Sequence, residues 1–253
     1  MWPRRKGSNS VRKQDNIYAA ALDQMVDFRF DEKVVDVFPD MIQRSVPGYA
    51  TMISTIGVLA AKYAQADTKC YDLGCSLGAV TLSMRHRIKQ QNCNIIAVDN
   101  SPAMTEKAAN ILAADTNSQV KVDLVCADIA DIDIQNASVV VMNFTLQFIP
   151  IEQRQTLVNK IYQGLEAGGV LILSEKLAFD DNDVNQFHID SHHDFKRDNG
   201  YSDMEISQKR SALEKVLIPE SLAQHQQRLN QAGFNFVEKW FQCFNFVSMV
   251  AIK

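Results

Sequence analysis

The chain has 253 residues, 46% hydrophobic and 22% charged, with a formal net charge of −4. Arg4, Arg5, Lys6, Arg12 and Lys13 put +5 on the first thirteen residues, so the remaining 240 carry −9. This length builds one large domain or two small ones; no apolar run nears the roughly 20 residues that span a bilayer, and an acidic body lacks the Lys and Arg density that a nucleic-acid backbone needs.

The basic start leads into mixed sequence, unlike a secretory signal, and Ile17 to Met25 is expected to form a short helix. Phe28 to Phe38 shows no clear period. Tyr49 to Tyr63 carries a helical stripe at Met52, Ile53, Ile56, Leu59, Ala60 and Tyr63. Cys70 to Leu73 is a strand ending in a glycine turn, Thr81 to Ile88 a helix and Ile95 to Asp99 a strand. Ser101-Pro102 opens the next helix with an N-cap and a proline at its first position. Val120 to Cys126 and Val139 to Asn143 are strands, Gln153 to Leu165 a helix stopped by Gly168-Gly169, and Val170 to Ser174 a fifth strand. Such alternation implies a parallel sheet with helices on both faces. Phe234 to Trp240 and Phe246 to Ile252 lie too close for a crossover helix and are expected to pair as an antiparallel edge hairpin.

The chain thus divides into a flexible basic extension, residues 1–30, and a single α/β domain, 31–253, with a helical insertion at about 176–220. Cys70, Cys75, Cys93, Cys126 and Cys243 form no C-x-x-C pair, which suits reduced thiols in a cytoplasmic protein. In the insertion, His192 and His193 are adjacent and so point apart on a helix; they are read as packing or surface residues, and no metal is assigned.

Chemistry concentrates after the first strand. In Tyr71-Asp-Leu-Gly74-Cys75-Ser76-Leu-Gly78, Gly74 lets the backbone turn tightly and Gly78 permits close packing of the next helix. Asp99, twenty-five residues beyond Gly74, ends the second strand where an acid can hold both ribose hydroxyls. A dinucleotide is disfavoured, because Ser76 replaces the middle glycine and Asp72 would repel a phosphate, whereas a carboxylate there suits an ammonium-bearing ligand. The pattern resembles the class I S-adenosylmethionine-binding fold, a Rossmann-like, mostly parallel sheet with a C-terminal antiparallel hairpin. That resemblance implies that Asp128 meets the adenine amino group, Ile129 packs on its ring, and Asn143 lies beside the sulfonium. Without it, Asn143 is a polar residue capping a strand.

A narrower likeness comes from Val37-Phe-Pro-Asp-Met-Ile-Gln-Arg-Ser-Val-Pro-Gly-Tyr49, Asp99-Asn-Ser-Pro-Ala-Met104, Asn143-Phe-Thr-Leu-Gln-Phe148, Asp194 to Glu214, and Trp240-Phe-Gln-Cys-Phe-Asn-Phe246. From about Phe30 to Lys253 the sequence resembles the carboxy-S-adenosylmethionine synthases, bacterial enzymes of wobble-uridine oxyacetyl modification in tRNA. The resemblance implies S-adenosylmethionine and prephenate as substrates, with carboxy-S-adenosylmethionine and phenylpyruvate as products. Hydroxide leaving prephenate would take the methyl proton, so no side-chain base is assigned. Carried over by motif, the ligand contacts are Tyr49, Gly74, Cys75, Ser76, Asp99, Asn100, Asp128, Ile129, Asn143 and Arg210. Arg210 is implied to bind the product's new carboxylate, the bland reading being an exposed arginine paired with Glu214. Arg44 and Tyr201 are weaker candidates for prephenate contacts. A homodimer is implied, with product passed to a tRNA carboxymethyltransferase and no direct contact with nucleic acid or membrane. A conventional methyltransferase, or a non-catalytic S-adenosylmethionine-binding partner of a tRNA-modifying enzyme, stays open as an alternative.

Overall fold

The computed structural model describes residues 13–20, 27–118 and 120–253. Seven strands form one sheet in the order β3-β2-β1-β4-β5-β7-β6: β1 (Lys69–Leu73), β2 (Asn94–Asp99), β3 (Val122–Cys126), β4 (Ala137–Asn143), β5 (Leu165–Lys176), β6 (Phe236–Cys243) and β7 (Phe246–Ile252). The first five pair in parallel, and β7 runs antiparallel to both β5 and β6. Helices α1 (Glu32–Ser45), α2 (Tyr49–Tyr63), α3 (Ala79–Arg85), α4 (Pro102–Ala114), α5 (Ile151–Gly164), α6 (Asn182–Asp198), α7 (Asp203–Leu213) and α8 (Leu222–Ala232) surround it. The α/β class, the parallel sheet and the terminal hairpin agree with the sequence reading.

The period-two side-chain alternation of a strand sorts the core into two layers. Val140, Met142, Leu171 and Leu173 face Leu157, Val158 and Ile161 of α5, while Val139, Val141 and Ile172 face Ile56 and Ala60 of α2 and Val80 and Met84 of α3. A third cluster packs Val34, Val37 and Met41 of α1 against Leu77 and Met104, above the carboxyl ends of the strands. Helix α1 does not follow from the sequence reading, because Pro39 argues against a helix interior, yet Val34, Val37, Met41 and Ser45 bury one regular face; its start is fixed by Asp31, whose carboxylate accepts from Val34 N.

The helix expected over Ile17 to Met25 is not found at residues 17–20, which are turn and bend, and 21–26 lie outside the described residues. Within the stretch assigned to a basic extension, Asp15, Tyr18 and Phe28 are buried against the domain. All five cysteines are free thiols.

The inserted helices α6 and α7 begin and end on one loop, the segment after β4. On the entry side, Glu175 accepts from Leu146 N at 3.0 Å and Gln147 N at 2.9 Å, and Lys176 N donates to Gln147 Oε1. On the exit side, Ile218 N donates to Gln147 O. The fully buried guanidinium of Arg154 donates to Gln147 O, Ile149 O and Ile218 O and pairs with Glu220, which also accepts from Arg228. Removing one member of a buried ionic network leaves charge and carbonyls unpaired. Arg154→Leu should therefore cost about 3–5 kcal/mol in urea denaturation; an unchanged midpoint would mean that the loop holds without this clamp.

Candidate functional site

A cavity of about 430 Å³ opens at the carboxyl ends of β1, β2 and β4. The chain there reverses its direction of travel across the sheet, from β1 outward to β3 and then back to β4 on the other side of β1, and open α/β sheets bind ligands at such a point. Tyr49, Gly74, Cys75, Ser76, Asp99, Asn100, Asp128, Ile129 and Asn143 all line it.

The loop after β1 is shaped by backbone geometry. Gly74 has φ +81°, and a Cβ there would sit 2.3 Å from Thr145 Oγ1, so glycine is required twice over. Gly74 N and Cys75 N both donate to Val98 O, and Ser76 is left-handed at φ 49°. Gly78 also has a positive φ, but an added Cβ would meet nothing nearer than 3.8 Å. Its conformation, not the close packing expected from sequence, explains the residue. The two carboxylate oxygens of Asp99 accept from Ser76 N at 2.8 Å and Ser101 N at 3.0 Å, which fixes the acid and leaves one lone pair on each oxygen. Asp128 does not end a strand; it caps a short 3-10 turn by accepting from Ala130 N, with Ile129 buried beside it.

Deeper in, Asp72 is buried and accepts from Thr81 Oγ1 at 2.5 Å. Burial pushes its carboxyl up to about 7 against the pull of that hydrogen bond. The Tyr49 phenol is pushed upward by burial and by the charge of Asp72. Asn143 Oδ1 is buried and has no hydrogen-bond partner among the described residues. Phe144, next in the chain, holds φ 60° and packs edge-on to Phe246. Orphaned acceptor, poised carboxyl and glycine cradle together suit a ligand that carries both an adenosine and a cationic end.

Beyond Asn143 the lining becomes cationic, with Lys176, Lys196 and Lys209. Burial lowers their pKa values to about 8, about 7 and about 8; Arg210 adds to the effect at Lys176, and Lys209 and Lys176 add to it at Lys196. Sequence reasoning missed all three, since an isolated lysine on a polar helix or at a strand end carries no periodic signal. His192 packs as a buried residue, its Nε2 2.8 Å from Ser45 O, and burial drives its imidazole to about 2. Arg44 and Tyr201 are not wall residues. The guanidinium lies 3.9 Å over the Tyr201 ring and bonds Asp40, while the Tyr201 hydroxyl donates to Asp15 Oδ2.

Of the ten cofactor contacts carried over by motif, Arg210 lies off the cavity wall. It is exposed on α7, and no Arg210–Glu214 ion pair occurs among the described residues. The cation that α7 turns inward is its neighbour, Lys209.

Residues 71–169 match the family described as Methyltransferase domain. Across its length the chain is similar to the carboxy-S-adenosyl-L-methionine synthase of Citrifermentans bemidjiense, 67% identical over 96% of this chain and 100% of that protein. It is 56% identical to the carboxy-S-adenosyl-L-methionine synthase of Photorhabdus laumondii, over 95% of each. Among solved structures, an O-methyltransferase family protein from Burkholderia thailandensis gives a TM-score of 0.62 at 16% identity, covering 88% of this chain and 60% of that one. A putative S-adenosyl-L-methionine-dependent methyltransferase from Methanococcus maripaludis gives 0.58 at 19%, covering 91% and 96%. At such identities these structures establish the shared fold alone.

The raised carboxyl of Asp72 makes a pH prediction. Its folded value of about 7 exceeds the ordinary 3.8, so this group withdraws stability as pH rises from about 4 to about 7. Asp72→Asn removes that loss. In ligand-free thermal melts it should gain on the wild type progressively between pH 4 and 8. A constant difference across the range would show that Asp72 is ionised throughout.

Proposed function

The chain belongs to the carboxy-S-adenosyl-L-methionine synthase family, and from that membership we propose that it converts S-adenosyl-L-methionine and prephenate to carboxy-S-adenosyl-L-methionine, phenylpyruvate and water. The observation that carries this reading is one cavity in which nine residues of the family's motifs, dispersed from Tyr49 to Asn143, meet a cationic compartment. S-Adenosylmethionine is a substrate here. Asp99 accepts from the ribose hydroxyls, Asp128 from the adenine amino group, and Ile129 packs on the base. Asp72 receives the ammonium, Tyr49 covers the amino-acid end, and Asn143 stands beside the sulfonium. The backbone of Gly74, Cys75 and Ser76 cradles the ligand between these ends, and Asn100 borders the ribose.

Two bonds change at the reacting carbon: its methyl group loses a proton and gains a carboxyl. Prephenate supplies both partners, because its ring becomes aromatic as carbon dioxide and hydroxide depart together. Hydroxide takes the proton and leaves as water. The lining favours this substrate-assisted route. The His192 imidazole is suppressed to about 2, and burial raises the Cys75 thiol far from ionisation. The apolar rings of Phe144, Phe148 and Phe246 in the lining limit the access of bulk water to the reacting carbon. Arg210, outside the wall but near enough to depress Lys176 electrostatically, closes on the new carboxylate when product is bound. The enzyme works as a homodimer in the cytoplasm and hands its product to a tRNA carboxymethyltransferase.

Incubation of the purified protein with S-adenosylmethionine and prephenate should yield a cofactor heavier by one carboxyl group in its mass spectrum. A methylated acceptor without that species would assign the protein to conventional methyl transfer. Arg210→Ala should weaken retention of the carboxylated product at least about tenfold more than that of S-adenosylmethionine, as expected for loss of a charge-assisted hydrogen bond; equal losses would make Arg210 structural.

A further inference from the structure

We propose that Lys176 and Lys196 form a two-point site for a dicarboxylate co-substrate, one ammonium for each carboxylate. This rests on the function above, in which the dicarboxylate is prephenate. The argument is one of pairing. Four cationic side chains lie in or behind the wall of the inner compartment: Lys176 at the end of β5, Lys196 on α6 and Lys209 on α7 line it, and Arg44 on α1 stands behind it. Two already have anions. Arg44 Nε bonds Asp40 at 2.9 Å, and Lys209 Nζ lies 3.5 Å from Asp15 Oδ2 and 3.2 Å from Ser45 Oγ.

Asp15 is itself fixed by the Tyr201 hydroxyl at 2.5 Å, so the Lys209–Asp15 pair belongs to the frame. His192, between these elements, is neutral. Among the described residues neither Lys176 Nζ nor Lys196 Nζ has a hydrogen bond or an ion pair at contact distance; Asp15, already paired with Lys209, acts on Lys196 only through its field. Both Lys176 and Lys196 line the cavity, and Lys196 is only 7% exposed. Enclosing unpaired ammonium groups is costly. Their burial beside the cofactor half is explained when two anionic groups arrive with the substrate.

The stoichiometry holds through turnover. Prephenate brings two carboxylates. One stays on phenylpyruvate. The other breaks its bond to the ring carbon, departs as carbon dioxide, and becomes a carboxylate again when its carbon bonds to the methyl carbon. Hydroxide from the ring takes the displaced proton, so atoms and charge balance. One lysine keeps the carboxylate of phenylpyruvate, and the other faces the migrating carboxylate until Arg210 closes on it.

Titration of prephenate into enzyme saturated with S-adenosylhomocysteine, which has no methyl group to carboxylate, separates binding from chemistry. Lys176→Met and Lys196→Met should each weaken prephenate at least about 30-fold, the loss expected when one partner of an enclosed charge pair is removed. Affinity for S-adenosylhomocysteine should stay unchanged. Phenylpyruvate, with one carboxylate, should respond to one substitution only. Lys176→Arg and Lys196→Arg keep the charge and should lose less; melting curves confirm that each variant is folded. Prephenate binding unchanged in both methionine variants, beside a wild type that makes carboxylated product, would overturn the site and leave the function standing. A wild type that binds S-adenosylhomocysteine but neither binds prephenate nor makes carboxylated product would overturn the function itself.

Discussion

One short loop, Thr145 to Ile149, bears two obligations. Its main-chain N–H groups are taken by Glu175 at the end of β5, and its carbonyls by Arg154 and Ile218. It therefore carries the entry and the exit of the helical insertion, and with them the position of α6 and α7 over the sheet. It also presents Thr145 to the glycine turn, close enough to exclude any side chain at Gly74. The cofactor half and the cationic half of the cavity are held in register through this segment, because each half is built against a different edge of it.

Strain is gathered at the same place. Gly74, Ser76 and Phe144 all adopt positive φ around the cavity. For serine and phenylalanine this conformation is costly, and it persists where surrounding contacts over-determine it. Phe144 is held by the Phe246 ring, and Ser76 by its N–H bond to Asp99. The backbone is thereby set before a ligand arrives, so little ordering cost remains for binding to meet.

How much of this was legible follows from the range of each signal. The α2 helix and the parallel strands were readable, since burial on a regular face leaves a period. The loop, Asp99 and Asn143 were readable from motifs, and the structure collects them at one point. Helix α1 was hidden because Pro39 sits inside it, although its buried face is regularly spaced. The lysines were hidden for another reason: Lys176, Lys196 and Lys209 become neighbours only through tertiary packing of three separate elements. Arg210 shows the limit of a motif. A motif located the correct turn of α7, but the helical rotation between adjacent residues turns Lys209 inward and Arg210 out. Net charge likewise described the whole chain, within which one compartment is lined by three lysines.

The buried carboxylate of Asp15 ties the beginning of the chain to Tyr201 and Lys209 across 186 residues. Such a contact is late in any assembly sequence, since loop closure over that span must come before it is made. On the ribosome, the nascent sheet through β5 can gather its nucleoside-binding loops while the cationic compartment still lacks a wall. Competence for the second substrate then waits on residues 201–246, when Tyr201 and Lys209 find Asp15, translated long before, and Phe246 adds its part of the wall.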